Sequence, residues 1–112
     1  QGTIIKRKGR YHLLQDIKTE GSQVVVKLGG SMYAIDAANL REAVQDLIKK
    51  GHKMFQFDLS AIDYMDSTGL GLFIFLDEEL KGKNGKMVLK GLTGRVKTLF
   101  ERTRLYDVFT IQ

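Results

Sequence analysis

Asp66-Ser67-Thr68-Gly69-Leu70-Gly71-Leu72-Phe73-Ile74-Phe75-Leu76-Asp77-Glu78-Glu79-Leu80-Lys81 is the stretch whose assignment decides the architecture. Residues 70–76 hold too little polarity to display a period, and on that ground alone they read equally well as a buried strand. The flanks favour a helix over residues 70–80. Asp66 and Ser67 supply cap residues ahead of it, the continuation Asp77-Glu78-Glu79-Leu80-Lys81 is strongly helix-forming, and only Ile74 in the apolar run is β-branched. A helix that is apolar nearly all round has to be buried on more than one side. Gly82-Lys83-Asn84-Gly85 ends it.

Toward the amino terminus, residues 53–59 form a mostly buried strand around Met54, Phe55, Phe57 and Leu59, ending at Ser60. Before it, helical spacing sets in after Ile35 and places Leu40, Val44, Leu47 and Ile48 on one face of a helix over residues 37–50. Asp36 or Asn39 caps that helix, Asn39 with Glu42 as a capping-box variant, and Gly51 after Lys49-Lys50 stops it. Residues 11–17 and 23–28 are strand-like runs around the turn Thr19-Glu20-Gly21-Ser22, which predicts a hairpin whose second strand ends at Gly29-Gly30-Ser31 and whose start frays before Tyr11. Toward the carboxyl terminus come a strand over residues 86–92, a third helix capped by Thr93 that turns Val96, Leu99 and Phe100 inward, and a short last strand over residues 108–111. The order from residue 23 onward is strand and helix in alternation, which implies mainly parallel pairing with right-handed crossovers. The expected fold class is α/β: a mixed, mainly parallel sheet of about four to five strands packed with about three to four helices. Leu47, Phe57, Leu70, Phe73 and Ile74 are its expected core.

The 112 residues suit a single domain, and the 43% hydrophobic content is ordinary for a globular chain. No proline, repeat or low-complexity stretch divides it, so residues 1–112 read as one domain in which 1–22 form an amino-terminal extension contributing a strand. Cysteine is absent, which removes disulfides and thiolate chemistry and points to a reducing compartment. The chain opens Gln1-Gly2-Thr3 without an initiator methionine, as a processed or excised chain does, so a lost targeting segment stays open. Its longest apolar run, residues 72–76, falls far short of the roughly 20 residues that span a bilayer. The net charge of +5 has its basic residues at Lys6, Arg7, Lys8 and Arg10 and again between Lys81 and Arg104. They are interrupted by apolar residues at spacings that leave them on solvated faces, with no aromatic ladder beside them, so direct nucleic-acid binding is not expected.

The chemistry is concentrated in Phe57-Asp58-Leu59-Ser60-Ala61-Ile62-Asp63-Tyr64-Met65-Asp66-Ser67-Thr68-Gly69-Leu70-Gly71. Ser67 in a loop at a helix amino terminus lies near unpaired backbone amides, so it serves both as a cap and as an accessible phosphate acceptor. A phosphate there adds a charge of about −1.5 to −2, which the helix end favours by about 0.3–1 kcal/mol against the repulsion of Asp66 and Asp63. Asp66 either orients phosphoryl transfer, binds a kinase-held metal ion, or is itself the cap. Gly69 and Gly71 either let another chain approach closely or let the helix sit tightly on its own sheet.

This segment resembles the STAS domains, the group containing the bacterial anti-sigma factor antagonists. Their hallmark is a strand, Asp-Leu-Ser, a short loop with an apolar residue before Asp-Ser, and then Gly-Leu-Gly. The resemblance extends over residues 23–112. It implies a cytoplasmic transcription regulator that works by partner switching and is not an enzyme. The unmodified protein binds an anti-sigma factor serine kinase, phosphorylation of Ser67 switches it off, and a phosphatase restores it. Asp66, Ser67, Thr68, Gly69 and Gly71, with Ser31 and Tyr33 from the first crossover, are the implied partner-binding residues. The family often has Gly-Glu-Leu-Asp where this chain has Gly30-Ser31-Met32-Tyr33, so two acidic residues are missing from the region that borders the partner.

Other chemistry finds less support. Met65-Asp66-Ser67-Thr68-Gly69 lacks the first glycine of a nucleophile elbow, and the general base would have to be His12 or His52, neither with an evident partner. Gly69-x-Gly71 is not a dinucleotide fingerprint, no phosphate-loop motif occurs, and the two histidines have no carboxylate at ligand spacing, so neither cofactor nor metal is expected. The competing reading is a non-switching STAS scaffold or assembly module in a stress-signalling, lipid-transport or anion-transporter complex. The altered Ser31-Met32-Tyr33 segment and the extra strand favour it, and the intact Asp66-Ser67 pair opposes it.

Overall fold

The computed structural model describes residues 2–5, 13–103 and 106–112. Their order is β1 (Gly2–Ile5), β2 (Leu13–Glu20), β3 (Gln23–Met32), α1 (Ala34–Lys49), β4 (Met54–Met65), α2 (Ser67–Lys81), β5 (Lys86–Lys90), α3 (Gly94–Glu101), a 3-10 turn (Tyr106–Val108) and β6 (Thr110–Ile111). The strands form one sheet in the order β1-β2-β3-β4-β5-β6, antiparallel across β1, β2 and β3 and parallel from β3 to β6. This is the expected mixed α/β class, with the short strands β1 and β6 extending the sheet at its two edges.

Alternation along each strand divides the sheet into a covered and an open face. Val24, Val26 and Leu28 of β3, Phe55, Phe57 and Leu59 of β4, and Met87 and Leu89 of β5 are buried in one core with the helices. Phe55, Phe57, Phe73, Phe100 and Phe109 run through that core as a chain of ring contacts with centroids 5.2–6.2 Å apart. Leu70, Phe73 and Phe57 are buried as expected, whereas Leu47 and Ile74 are only partly buried at the edge of the cluster. On the open face, Asp16, Lys27, Asp58 and Lys90 stand in register across β2, β3, β4 and β5, a row of alternating charge. Neighbours of opposite sign suit a sheet face that stays in water.

Among the boundaries that differ from the sequence expectation, three in β2, β3 and β4 have a local reason. The hairpin closes on Gly21-Ser22 alone, because Glu20 pairs with Gln23 and Gly21 takes φ +62°, a conformation that suits a two-residue turn; its expected start at Tyr11 lies outside the described residues. Strand β3 does not end at Gly29-Gly30-Ser31. The pairing with β4 shifts register on both sides of Gly29 and Gly30, and Gly30 at φ +86° absorbs the irregularity, so the strand continues to Met32. Strand β4 likewise passes Ser60: the Ser60 backbone N–H and hydroxyl both donate to Asp58 Oδ1, at 3.0 and 2.7 Å, and pairing with β3 resumes from Ala61 to Met65.

Helix α1 also starts earlier than residue 37. Its N-cap is Tyr33, and Asp36 acts from the first turn, where its Oδ2 accepts the Tyr33 backbone N–H at 3.0 Å. At the far end Gly51, at φ +102°, donates to Ile48 O while His52 N donates to Leu47 O, which closes the helix where expected. Helix α2 is buried through Leu70, Leu72, Phe73, Leu76 and Leu80, against α1 and the sheet and, through Phe73, the ring of Phe100 in α3. Its buried Asp77 is paired with Lys81 at 2.8 Å.

Candidate functional site

The carboxyl ends of β3 and β4 and the amino ends of α1 and α2 meet at one edge of the domain. Strand β4 stops at Met65 and α2 begins at Ser67, so Asp66 alone makes the connection. No loop precedes the serine, contrary to the expectation from sequence. Asp66 is the N-cap: its Oδ1 accepts the Thr68 backbone N–H at 3.0 Å and the Thr68 hydroxyl as well, while its own N–H donates to Met32 O at 3.4 Å. The helix end is thereby capped without Ser67. Ser67 is the first helical residue, it is exposed, and its hydroxyl has no hydrogen-bond partner among the described residues.

The two glycines beside it differ in what they do. A Cβ on Gly69 would stand 2.4 Å from Met65 Cγ and 2.9 Å from Met32 Sδ, so this buried residue is glycine because the helix lies directly on the ends of β3 and β4. Gly69 therefore offers no surface to a partner. A Cβ on exposed Gly71 would meet nothing within 4 Å. The fold does not require glycine there, and its bare backbone lines a groove of about 320 Å³ between α1 and α2 with Ala34, Ala38, Thr68 and Phe75. Arg41 also lines that groove, its guanidinium 4.1 Å from the centre of the Phe75 ring.

On the other side of Ser67 the departure at residues 31–33 takes a definite form. Ser31 is half-buried in β3 opposite Tyr64, Met32 is fully buried, and only Tyr33 is exposed. Tyr33 and Tyr64 set their rings 5.3 Å apart, each about two-fifths exposed, so an aromatic pair stands over the strand ends. The sequence reading missed Tyr64, because ending β4 at Ser60 left residue 64 in a loop with no direction. Exposed Ile35, in the first turn of α1, was missed with the early start of that helix.

Asp58 and Ser60, the outer residues of Asp-Leu-Ser, belong to the framework. Burial works to raise the Asp58 carboxyl, but the Ser60 N–H and hydroxyl and the charges of Lys90 and Lys27 outweigh it and hold the group below the ordinary aspartate value. Gly91, at φ +78°, packs against this turn so closely that a Cβ would lie 2.8 Å from the Ser60 backbone nitrogen. Among the described residues no cluster of three His, Cys, Asp or Glu side chains is placed to hold a metal, and no helix is long and apolar enough to cross a membrane.

The STAS domain model matches residues 15–112. An anti-sigma-B factor antagonist of Listeria monocytogenes is 35% identical over 85 residues, which cover 76% of this chain and 75% of the relative. An anti-sigma-B factor antagonist of Bacillus subtilis is 32% identical over 96 residues, 86% of this chain and 87% of the relative. Among solved structures, the Bacillus cell fate determinant SpoIIAA in its phosphorylated form superposes with a TM-score of 0.72 at 19% identity, covering 88% of this chain and 90% of SpoIIAA.

Proposed function

The chain belongs to the STAS domain family, and on that premise we propose that it is an anti-sigma factor antagonist whose unmodified form binds an anti-sigma factor serine kinase and is released when Ser67 is phosphorylated. One observation carries the reading: the Ser67 hydroxyl is exposed and unbonded at the start of a helix that is already capped by Asp66. Its relatives are anti-sigma-B factor antagonists, and a protein of this fold has been seen in phosphorylated form.

In the transfer, Ser67 Oγ attacks the γ-phosphorus of ATP held by the kinase. The Oγ–P bond forms as the bond to the bridging oxygen breaks, ADP leaves, and the hydroxyl proton passes to a base on the kinase. Asp66 keeps its place throughout, since its oxygen is engaged by Thr68. The product dianion gains about 0.3–1 kcal/mol from the helix end, so the domain stays folded. A partner surface pressed over Ser67 has no such compensation. An unpaired charge buried there costs several kcal/mol, which lowers affinity about a hundredfold or more. On this reading Ser31, Tyr33, Thr68 and Gly71 supply the rest of the contact. Gly69 acts from beneath by holding α2 against the strand ends.

The test is incubation with ATP and the anti-sigma kinase, followed by mass spectrometry and titration calorimetry. A single added phosphate that vanishes in Ser67→Ala, together with strong binding by Ser67→Ala and weak binding by Ser67→Asp, is the expected result. Equal affinity of the two variants refutes the switch. It favours instead the standing scaffold, for which the exposed Tyr33–Tyr64 pair is the supporting observation.

A further inference from the structure

Beyond Ser67, the same edge carries a second recognition feature. Strand β5 leaves β4 after the pair Asp58–Lys90, so from Ser60 onward β4 is paired only with β3, and α3 packs against its outer side. Between them lies a cavity of about 610 Å³. Its floor is Met65, Leu99 and the exposed ring of Tyr64, and its rim is Arg95 and Thr98 of α3 with Arg102, the residue that caps the end of α3. Both arginines are exposed, and neither has an acidic partner among the described residues. The seven-residue spacing between them sets their Cα atoms about 10 Å apart along the helix axis at about 1.5 Å per residue, two turns on, so both lie on the same face.

We propose that this cavity, apolar in its floor and cationic at both ends, docks an acidic segment of the protein partner that carries a large aliphatic side chain between two carboxylates. The inference rests on the antagonist reading and adds the chemistry of what the partner presents. Each guanidinium offers a planar pair of donors that matches a carboxylate. The interval between the two arginine positions is matched by about three residues of a strand or about seven of a helix. The central side chain enters against Leu99 and Met65, where it loses water, and the charges select acidic segments over the many apolar ones. Tyr64 joins this cavity to the aromatic pair beside Ser67, so the segment lies along the face that a phosphate at Ser67 disturbs.

The probe is a fluorescein-labelled helical peptide bearing Glu-x-x-Leu-x-x-x-Glu on one face, titrated by anisotropy at low salt and mapped by amide chemical shifts. Binding with shifts at Tyr64, Thr98 and Arg102 is expected. Arg95→Glu and Arg102→Glu should each weaken it about fivefold. Lys49→Glu, at the end of α1, should leave it unchanged. A peptide with Gln in place of Glu should bind more weakly and lose the salt dependence. Arg95→Gln and Arg102→Gln, which keep the side-chain stem, serve if a reversal disturbs folding in urea melts. The proposal is overturned if the peptide fails to bind, if the arginine variants bind it as well as the parent, if the Gln peptide binds equally, or if a single-stranded oligonucleotide binds more tightly at the same cavity. Neither kinase nor ATP is present, so a negative result leaves the Ser67 switch standing.

Discussion

Alanine at Gly71 should raise stability and alanine at Gly69 should not, although the two sites are two residues apart on one helix. Both substitutions gain helix propensity, by about 0.8–1 kcal/mol in a helix interior. At Gly71 nothing offsets the gain, because the new methyl group meets no atom within 4 Å. At Gly69 the methyl group would come within 2.4 Å of Met65 Cγ and 2.9 Å of Met32 Sδ, two side chains that are 6% and 0% exposed and have nowhere to retreat. Overpacking of that kind costs about 1–3 kcal/mol, so the gap between the variants isolates the steric penalty, with Gly71→Ala above the parent and Gly69→Ala at or below it. Urea denaturation followed by circular dichroism reads this as displaced midpoints at constant slope. Gly71→Ala should also weaken capture of the kinase while raising stability, since its methyl group enters the groove beside Thr68. If Gly71→Ala proves as destabilising as Gly69→Ala, the groove is closed in solution and the division of labour between the glycines is wrong.

Asp66→Ala removes the cap on Thr68 and should cost about 1 kcal/mol in a urea melt; an unchanged midpoint would show that Ser67 or water replaces it. Because Asp58 is held below its unfolded value, its contribution to stability is present above that value and is lost as pH falls through the folded one. The midpoint difference between the parent and Asp58→Asn should therefore be full at neutral pH and shrink below about pH 4, and a difference that grows on acidification would reverse the sign and refute the account. Phe73→Ala opens the centre of the aromatic chain and should cost about 3–5 kcal/mol, measurable as a large fall in thermal midpoint.

Legibility in the sequence followed how local the deciding physics was. Helix α2 could be read because its evidence, an aspartate cap and an acidic carboxyl half, lies within its own residues. The extent of β3 and β4 could not. Gly29, Gly30 and Ser60 are chain breakers by local preference, and only pairing across the sheet turns them into irregularities that a strand passes through. The start of α1 was misplaced because Asp36, a good cap by composition, works instead from the first turn on the residue three before it. At the site, the identity of Ser67 was plain, but its freedom from capping duty depends on Asp66 being the sole connection. Arg95 and Arg102 read as ordinary solvated charge until Tyr64 and Leu99 are seen to form a floor between them.

A single residue joining β4 to α2 leaves no slack to take up or release. On the proposed reading, the domain records its state in charge alone, without a hinge or a lid to reset. Its memory then lasts as long as one ester bond survives, and the pace of switching belongs to the enzymes that write and erase that bond.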